Sequence, residues 1–567
     1  MVKKWIYKSA APQEDVDRLM AEVGVSETVA SLLAQRSIRN YEEAKAFFRP
    51  SLAHLHDPFL MKGMDIAVNR LQEAFQQREK IMIYGDYDVD GTTSVALVYG
   101  FIKTLYPNVA FYVPDRYKEG YGVSTKGMEY ARDNNFKLII SLDCGIKAVD
   151  RIQQAKDYGI DFIICDHHRP GEILPPAIAI LDPKQQDCPY PFTELSGCGV
   201  GFKFMQGYCQ RFDIPERKLF AFLDLVAVSI AADIVPVSDE NRVLAHFGLK
   251  LLNKKPSHGL KALMNLGGGM NKMSISAIVF GIGPRINAAG RMAHASGAVD
   301  LLLAKDEVEA EQLAKQIESK NEIRRNFDSN ITAEAIEMIE SQGDDNAKST
   351  VLFKSDWHKG VIGIVASRCI DKFYRPTIIM TESNRKATGS ARSVNGFDVY
   401  EAISECAELL DQFGGHRYAA GLTMDIDKVD AFREKFNRIV AERITEDQLT
   451  PQLNVDRRIA LNEVNYKLYN ILKQMAPFGP ENMTPIFVSE NLKVVDRPRL
   501  LKGEHLKFKV TQDGNEEPIE AIGFGFGQYY DLVSSGMRFR MAYSVEENTY
   551  MGRKNLQLYV KDIKFEE

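Results

Sequence analysis

Four short segments gather carboxylates and imidazoles in patterns that suit metal-assisted phosphoryl chemistry. They are Asp86-Tyr87-Asp88-Val89-Asp90-Gly91, Leu142-Asp143-Cys144-Gly145, Asp166-His167-His168 and Ala231-Ala232-Asp233-Ile234. Hard divalent cations such as Mg²⁺ and Mn²⁺ take oxygen ligands, and an imidazole in the set tilts the choice toward Mn²⁺. Asp88, Asp90, Asp143 and Asp233 offer four negative charges that two divalent ions would balance, whereas the acids alone would repel one another. If the first segment is extended, Asp86, Asp88 and Asp90 share one face, and Gly91 permits a tight turn beside them. A strand-end aspartate also commonly caps the next helix, and Asp143 before Cys144-Gly145 suits that role taken singly. Capping has no use for a double histidine, so the set as a whole points to metal.

These residues need a frame. The first three segments each follow a short apolar run, Ile81-Met82-Ile83-Tyr84, Leu138-Ile139-Ile140-Ser141-Leu142 and Phe162-Ile163-Ile164-Cys165, with the length and β-branched content of buried strands. Helical patterns lie between them, so the alternation predicts a parallel sheet covered on both faces. Ligands of such sheets bind at the carboxyl ends of the strands, which is where these acids fall.

At 567 residues the chain is too long for one core. With 45% hydrophobic and 26% charged residues it has the composition of an ordinary globular protein, which excludes a fibre and wholesale disorder. The N-terminus opens no apolar signal region and no run approaches a membrane span, so the expected location is the cytoplasm, with no membrane partner. Seven cysteines without a Cys-x-x-Cys pair argue against a disulfide framework and a structural zinc site. The net charge of −6 gives no global sign of a nucleic-acid partner, although a local basic groove can sit beneath an acidic average.

Residues 1–64 read as a helical segment, with Asn40 as N-cap of a helix from Tyr41 to Phe48. Residues 65–301 form the α/β domain with the acidic motifs, including helices from Thr92 to Leu105 and from Leu219 to Ala232, the latter ending at Asp233. Over 302–345, Leu313, Ile317, Ile331, Ala335 and Ile339 recur at helical spacing, which predicts a long exposed connecting helix. A second α/β domain over 346–450 has strands Thr350–Phe353 and Thr377–Met380, a helix from Val361 to Phe373 and a Gly-rich turn at Gly414-Gly415. Residues 451–567 alternate strongly, with turn residues such as Asp513-Gly514-Asn515, and predict a small β-barrel.

At the acidic motifs the chain resembles the DHH phosphoesterase superfamily, named for the triplet seen as Asp166-His167-His168, and among its members the bacterial single-stranded-DNA exonucleases. The likeness extends through Gly281-Ile282-Gly283-Pro284-Arg285-Ile286-Asn287-Ala288-Ala289-Gly290-Arg291, Trp357-His358-Lys359-Gly360-Val361-Ile362-Gly363, Gly414-Gly415-His416-Arg417-Tyr418-Ala419-Ala420-Gly421 and Ala476-Pro477-Phe478-Gly479-Pro480-Glu481-Asn482. The resemblance implies an α/β protein with a parallel-sheet DHH domain, a long connecting helix, a DHH-associated substrate-binding domain and an OB-like nucleic-acid-binding barrel. It implies two ions, Mn²⁺ or Mg²⁺, on Asp88, Asp90, Asp143, His167 and Asp233, with Asp143 bridging. Asp86 and Asp166 would orient their neighbours or add a ligand, and His168 would face the scissile phosphate. Related pyrophosphatases carry a histidine four residues before the first metal aspartate; here that position is Tyr84, which implies that one ion keeps more water.

The activity so implied is metal-dependent 5′→3′ hydrolysis of single-stranded DNA to 5′-mononucleotides in repair and recombination, beside a single-strand-binding protein and a recombination helicase. Arg116, Ser390 and Arg392 resemble the family's pocket for a terminal 5′-phosphate, and guanidinium forks suit that dianion. Arg285, Arg291, His358 and His416 are further candidates for phosphates along the strand, although an arginine in a Gly-rich loop also commonly pairs with a carboxylate. Phe508, Phe524, Phe526 and Tyr543 could stack on bases, and at least half of such aromatics are expected in the core. The rival enzyme is a DHH phosphodiesterase acting on short oligonucleotides or cyclic dinucleotides, which has no need of the C-terminal barrel. A noncatalytic nucleic-acid-binding relative should have lost metal acids, and here the set is complete.

Overall fold

The computed structural model describes residues 3–266, 272–343, 346–513, 517–550 and 552–565. The chain opens with strand β1 (Lys4–Tyr7), where helices alone were expected, and continues into helices Gln13–Val23, Glu27–Ala34 and Tyr41–Phe48. Asn40 caps the third helix by accepting from the Glu43 amide. These helices share a core with the C-terminal barrel, placing Leu19, Leu33 and Ala44 in one cluster with Phe487, Phe539 and Leu558.

The acidic motifs sit on a five-stranded, all-parallel sheet of β2 (Ile81–Gly85), β3 (Val109–Tyr112), β4 (Leu138–Leu142), β5 (Asp161–Cys165) and β6 (Ala179–Leu181), in the order β3-β2-β4-β5-β6. β2 and β4 are buried throughout because helices cover both faces, which explains their unbroken apolar runs. Strand order reverses between β2 and β4, and a crevice opens where the chain leaves these neighbours in opposite directions. Helix Val89–Leu105 starts directly at the carboxylates, so Asp86, Asp88 and Asp90 do not alternate along an extended segment as the spacing suggested. The helix expected from Leu219 to Ala232 breaks into Arg217–Phe220 and Leu223–Ala232.

Helix Glu307–Ser341 is not an exposed connector. Its first half buries Ala310, Ala314 and Ile317 in the core of the parallel-sheet domain, and its second half buries Ile331, Ala335 and Ile339 against the following domain. One rod therefore fixes the spacing of both. That second domain has β7 (Thr350–Phe353), β8 (Thr377–Ser383), β9 (Lys386–Arg392), β10 (Gln412–His416) and β11 (Ala419–Met424), in the order β10-β11-β9-β8-β7. Gly414 and Gly415 lie within β10 rather than in a turn, and β10 and β11 form a hairpin whose tip is Arg417-Tyr418. At Gly415, φ is +147°, and a Cβ would collide with the Ala419 carbonyl oxygen, so the close hairpin requires glycine.

After β12 (Gln452–Val455), which pairs in parallel with β1, the short β13 (Arg457–Arg458) leads into a barrel. Its strands are β14 (Phe487–Leu501), β15 (His505–Thr511), β16 (Ile519–Gly523), β17 (Phe539–Tyr550) and β18 (Arg553–Phe565), closed by β14 pairing with β17. The order β14-β15-β16-β18-β17, with β16 and β18 parallel, is the five-stranded Greek-key arrangement of an OB-fold. Gly514 and Asn515 of the expected turn lie outside the described residues. Arg242 joins barrel to sheet domain: its buried guanidinium donates to the carbonyls of Phe47, Met475, Ala476 and Pro477.

Candidate active site

Asp86 follows β2, Asp143 follows β4 and Asp166 follows β5, while Asp233 closes helix Leu223–Ala232, so four elements deliver their carboxylates to one crevice. Asp88 is the N-cap of helix Val89–Leu105 and accepts from the Gly91 amide at 3.0 Å. The capping role thus falls on Asp88, not on Asp143, whose φ of +59° places a non-glycine residue in the left-handed region. Asp90 is fixed most tightly. It accepts from the Gly197 and Cys198 amides at 2.7 and 2.9 Å, at the N-terminus of helix Gly197–Arg211, and from the Ser229 hydroxyl at 2.6 Å. A Cβ on Gly197 would lie 2.7 Å from that of Asp143, so this helix approaches only because residue 197 is glycine.

His167 Nε2 sits at the convergence, 3.1 Å from Asp143, 3.5 Å from Asp233 and 3.7 Å from Asp90. Two overlapping donor groups result, Asp90–His167–Asp233 and Asp143–His167–His168, each with ligand atoms within 4.8 Å of one another. Burial, and then the neighbouring carboxylates, push the Asp86, Asp88 and Asp143 carboxyls above their usual range and Asp233 up to about 8. Burial holds His167 below its ordinary value and so favours the neutral, ligating imidazole. Buried Asp86 Oδ2 and His167 Nδ1 lack hydrogen-bond partners among the described residues, a condition that satisfied polar networks avoid. Carboxylates massed around an imidazole, with orphaned buried atoms, fit hard divalent cations.

Asp166 is held by hydrogen bonds on both of its oxygens. Its Oδ1 accepts from the His167 and His168 amides and, at 2.8 Å, from His168 Nδ1, and its Oδ2 accepts from the Ile146 amide. Burial alone would raise this carboxyl, but the bonds from His168 and the backbone outweigh it and hold Asp166 down to about 2. The same partnership overcomes the burial penalty on His168 and lifts it to about 9. His168 Nε2 then faces the crevice, 3.3 Å from the Tyr121 hydroxyl. Tyr84 is sealed away: its hydroxyl donates to the Gly122 carbonyl and accepts from the Ser124 amide, which braces the loop carrying Arg116 and Tyr121.

Two cavities flank Tyr121. One, of about 450 Å³, is lined by Arg116, Arg291, Lys359, Ser390 and Arg392. Arg116 lies 4.9 Å from the centre of the Tyr87 ring, and Arg392 donates to the Ser390 hydroxyl at 3.0 Å. Arg291 donates to the Gly360 carbonyl at 2.8 Å and so ties the two α/β domains together over the pocket. Burial, and then the charge of Arg116, push Arg291 down to about 10 and lower Arg392 and Lys359. The other cavity, of about 590 Å³, brings His416 to face His168 and Lys147.

Several expected contacts are placed elsewhere. Arg285 is not free for a strand, because its guanidinium pairs with Glu318 at 2.6 Å. His358 stacks on Phe327 and accepts from the Gly360 amide, which shapes a loop instead of opening toward the crevice. In the barrel, Phe508 and Tyr543 are core residues and Phe526 packs against that core. Phe524 alone of the four is exposed, and it stacks on Tyr559, over which Lys561 lies. Sequence reasoning missed Ser229, Gly197, Tyr121, Lys359, Lys147 and Tyr559. The glycine-rich Ser196-Gly197-Cys198-Gly199 at a helix start was the one local signal that could have exposed any of them.

Residues 80–230 match the family model of the DHH family N-terminal domain, residues 346–442 that of the DHHA1 domain, and residues 455–562 that of the RecJ OB domain. The single-stranded-DNA-specific exonuclease RecJ of Bacillus subtilis is 39% identical over 97% of this chain and 69% of its own. The RecJ of Escherichia coli is 30% identical over 94% of this chain and 95% of its own. Among solved structures, RecJ of Thermus thermophilus in complex with Mn²⁺ superposes with a TM-score of 0.85 at 26% identity, covering all of this chain and 80% of that one.

Proposed function

The chain belongs to the RecJ family, and on that premise we propose that it degrades single-stranded DNA from the 5′ end to 5′-mononucleotides, with two Mn²⁺ or Mg²⁺ ions on Asp88, Asp90, Asp143, His167 and Asp233. The observation that carries this reading is the pairing, on either side of Tyr121, of a carboxylate–histidine centre with a cationic pocket. When bound, the ions supply neutralisation of phosphoryl charge and acidify water. His167 is common to both donor groups, and Asp143, 3.1 Å from its Nε2, would hold an ion beside it, in the bridging place that the family resemblance implies. Asp166 keeps His168 charged at neutral pH with Nε2 toward the crevice, where it can donate to the phosphoryl oxygens or the leaving 3′-oxygen. Arg116, Arg291, Ser390 and Arg392 take the terminal 5′-phosphate, which sets the register of the scissile bond and the polarity of attack. His416 and Lys147 contact phosphate farther along the strand.

The division of labour follows 65–301 for catalysis, 346–450 for substrate binding and 451–567 for strand binding, with 1–64 and 302–345 fixing their relative positions. The exposed Phe524–Tyr559 stack beside Lys561, on a barrel that the rival phosphodiesterase has no need of, supports a polymer substrate over a cyclic dinucleotide. Family membership supports work in repair and recombination alongside a single-strand-binding protein and a helicase. Seven free cysteines suit the reducing cytoplasm, and no described helix is long and apolar enough to cross a membrane. Following an internally labelled single strand over time tests the reading: labelled 5′-mononucleotides should appear in order from the 5′ end, and release from the 3′ end or as oligonucleotides would overturn it.

A further inference from the structure

The cationic pocket contains one charge that the arginines and serine above leave unexplained. Lys359 lies in the loop 357–360, and every neighbour in that loop is tied down. Trp357 Nε1 donates to Glu334 at 2.9 Å, His358 stacks on Phe327, and the Gly360 carbonyl accepts from Arg291. Lys359 lines the pocket with Arg116, Arg291 and Arg392, and among the described residues none of these four cations is paired with a carboxylate. Arg285, Arg324 and Arg368, by contrast, each have an acidic partner. Four clustered, mutually repelling cations are costly without an anion between them. The charge count also selects the anion. An internal phosphodiester carries one negative charge, whereas a terminal monoester carries about −1.5 to −2 near neutral pH, so a cluster of four cations matches the monoester better.

Resting on the exonuclease reading above, we propose that Lys359 is a specificity-determining residue. It contacts the second charge of a 5′-terminal phosphate monoester and sets the preference for 5′-phosphorylated over 5′-hydroxyl strands. The test compares kcat/KM for the same single strand with either terminus, in the unaltered protein, Lys359→Gln and Lys359→Arg, with melting curves for all three. Lys359→Gln should lower the 5′-phosphate to 5′-hydroxyl ratio about tenfold, the scale of one charge-assisted hydrogen bond, and weaken competition by inorganic phosphate. Lys359→Arg should restore most of that ratio. A ratio unchanged in Lys359→Gln, or equal losses on both termini, would overturn the role of Lys359 and leave the exonuclease reading standing. Absence of strand shortening by the unaltered protein would overturn both.

Discussion

Asp143 has the most demanding environment in the crevice: it is buried, left-handed in φ, 3.1 Å from His167 and crowded by a helix N-terminus. Among the described residues its nearest polar partner is His167, which is shared with two other carboxylates, and His168 stands farther off at 3.9 Å, so a divalent cation would relieve the crowding. Asp143→Ala should therefore lower turnover by about a hundred- to a thousandfold, the scale of losing a principal electrostatic group. Binding of a fluorescent single strand, measured by anisotropy, should persist, since the cationic pocket and the barrel are untouched. Retained turnover would refute the bridging role. The neighbouring Asp166→Asn leaves the ligands in place but removes the anion that charges and aims His168, so kcat should fall about 10- to 100-fold with little change in strand affinity, as steady-state kinetics would report.

At the scale of elements, the crevice depends on a helix that reaches it at one glycine. Gly197→Ala would drive a Cβ into Asp143 and loosen the two amides that fix Asp90. Mn²⁺ affinity measured by calorimetry should drop markedly, while the thermal unfolding midpoint shifts only slightly; unchanged affinity would contradict the positioning role. This contact also marks what was legible in the sequence and what was not. The apolar runs ending in Asp86, Asp143 and Asp166 disclosed the parallel sheet, because a strand buried on both faces has no other composition available. The convergence of the acidic segments was legible for the same reason, since three of the four sit directly behind those runs. Ser229 and the 197–198 amides were not legible, because their role comes from tertiary approach across more than a hundred residues. Helix Glu307–Ser341 was seen but misjudged: its apolar stripe is short in each half because it serves two cores in turn. Arg285 takes the alternative weighed for it, a carboxylate partner, but a Gly-rich motif does not disclose that this partner is Glu318 on the facing helix.

In the whole molecule, chemistry and grip are separated. The sheet domain and its partner are clamped by the long helix and by Arg291 on Gly360, and the barrel is pinned to the sheet domain through Arg242 and to the N-terminal segment through the β1–β12 pair. Removing the stacking surface at the barrel should loosen the hold on long substrates alone: Phe524→Ala should weaken a long single strand by about 1–3 kcal/mol without changing cleavage of a dinucleotide, and equal losses on both would place Phe524 elsewhere. The crevice as a whole stands or falls as a metal-dependent, single-strand-specific nuclease site. Its most direct test is incubation of a 3′-labelled single strand, and of the same strand in a blunt duplex, with Mn²⁺ or Mg²⁺ and with EDTA. The expected result is progressive shortening of the single strand only, and only with metal; preference for the duplex, or cleavage that survives EDTA, would contradict it.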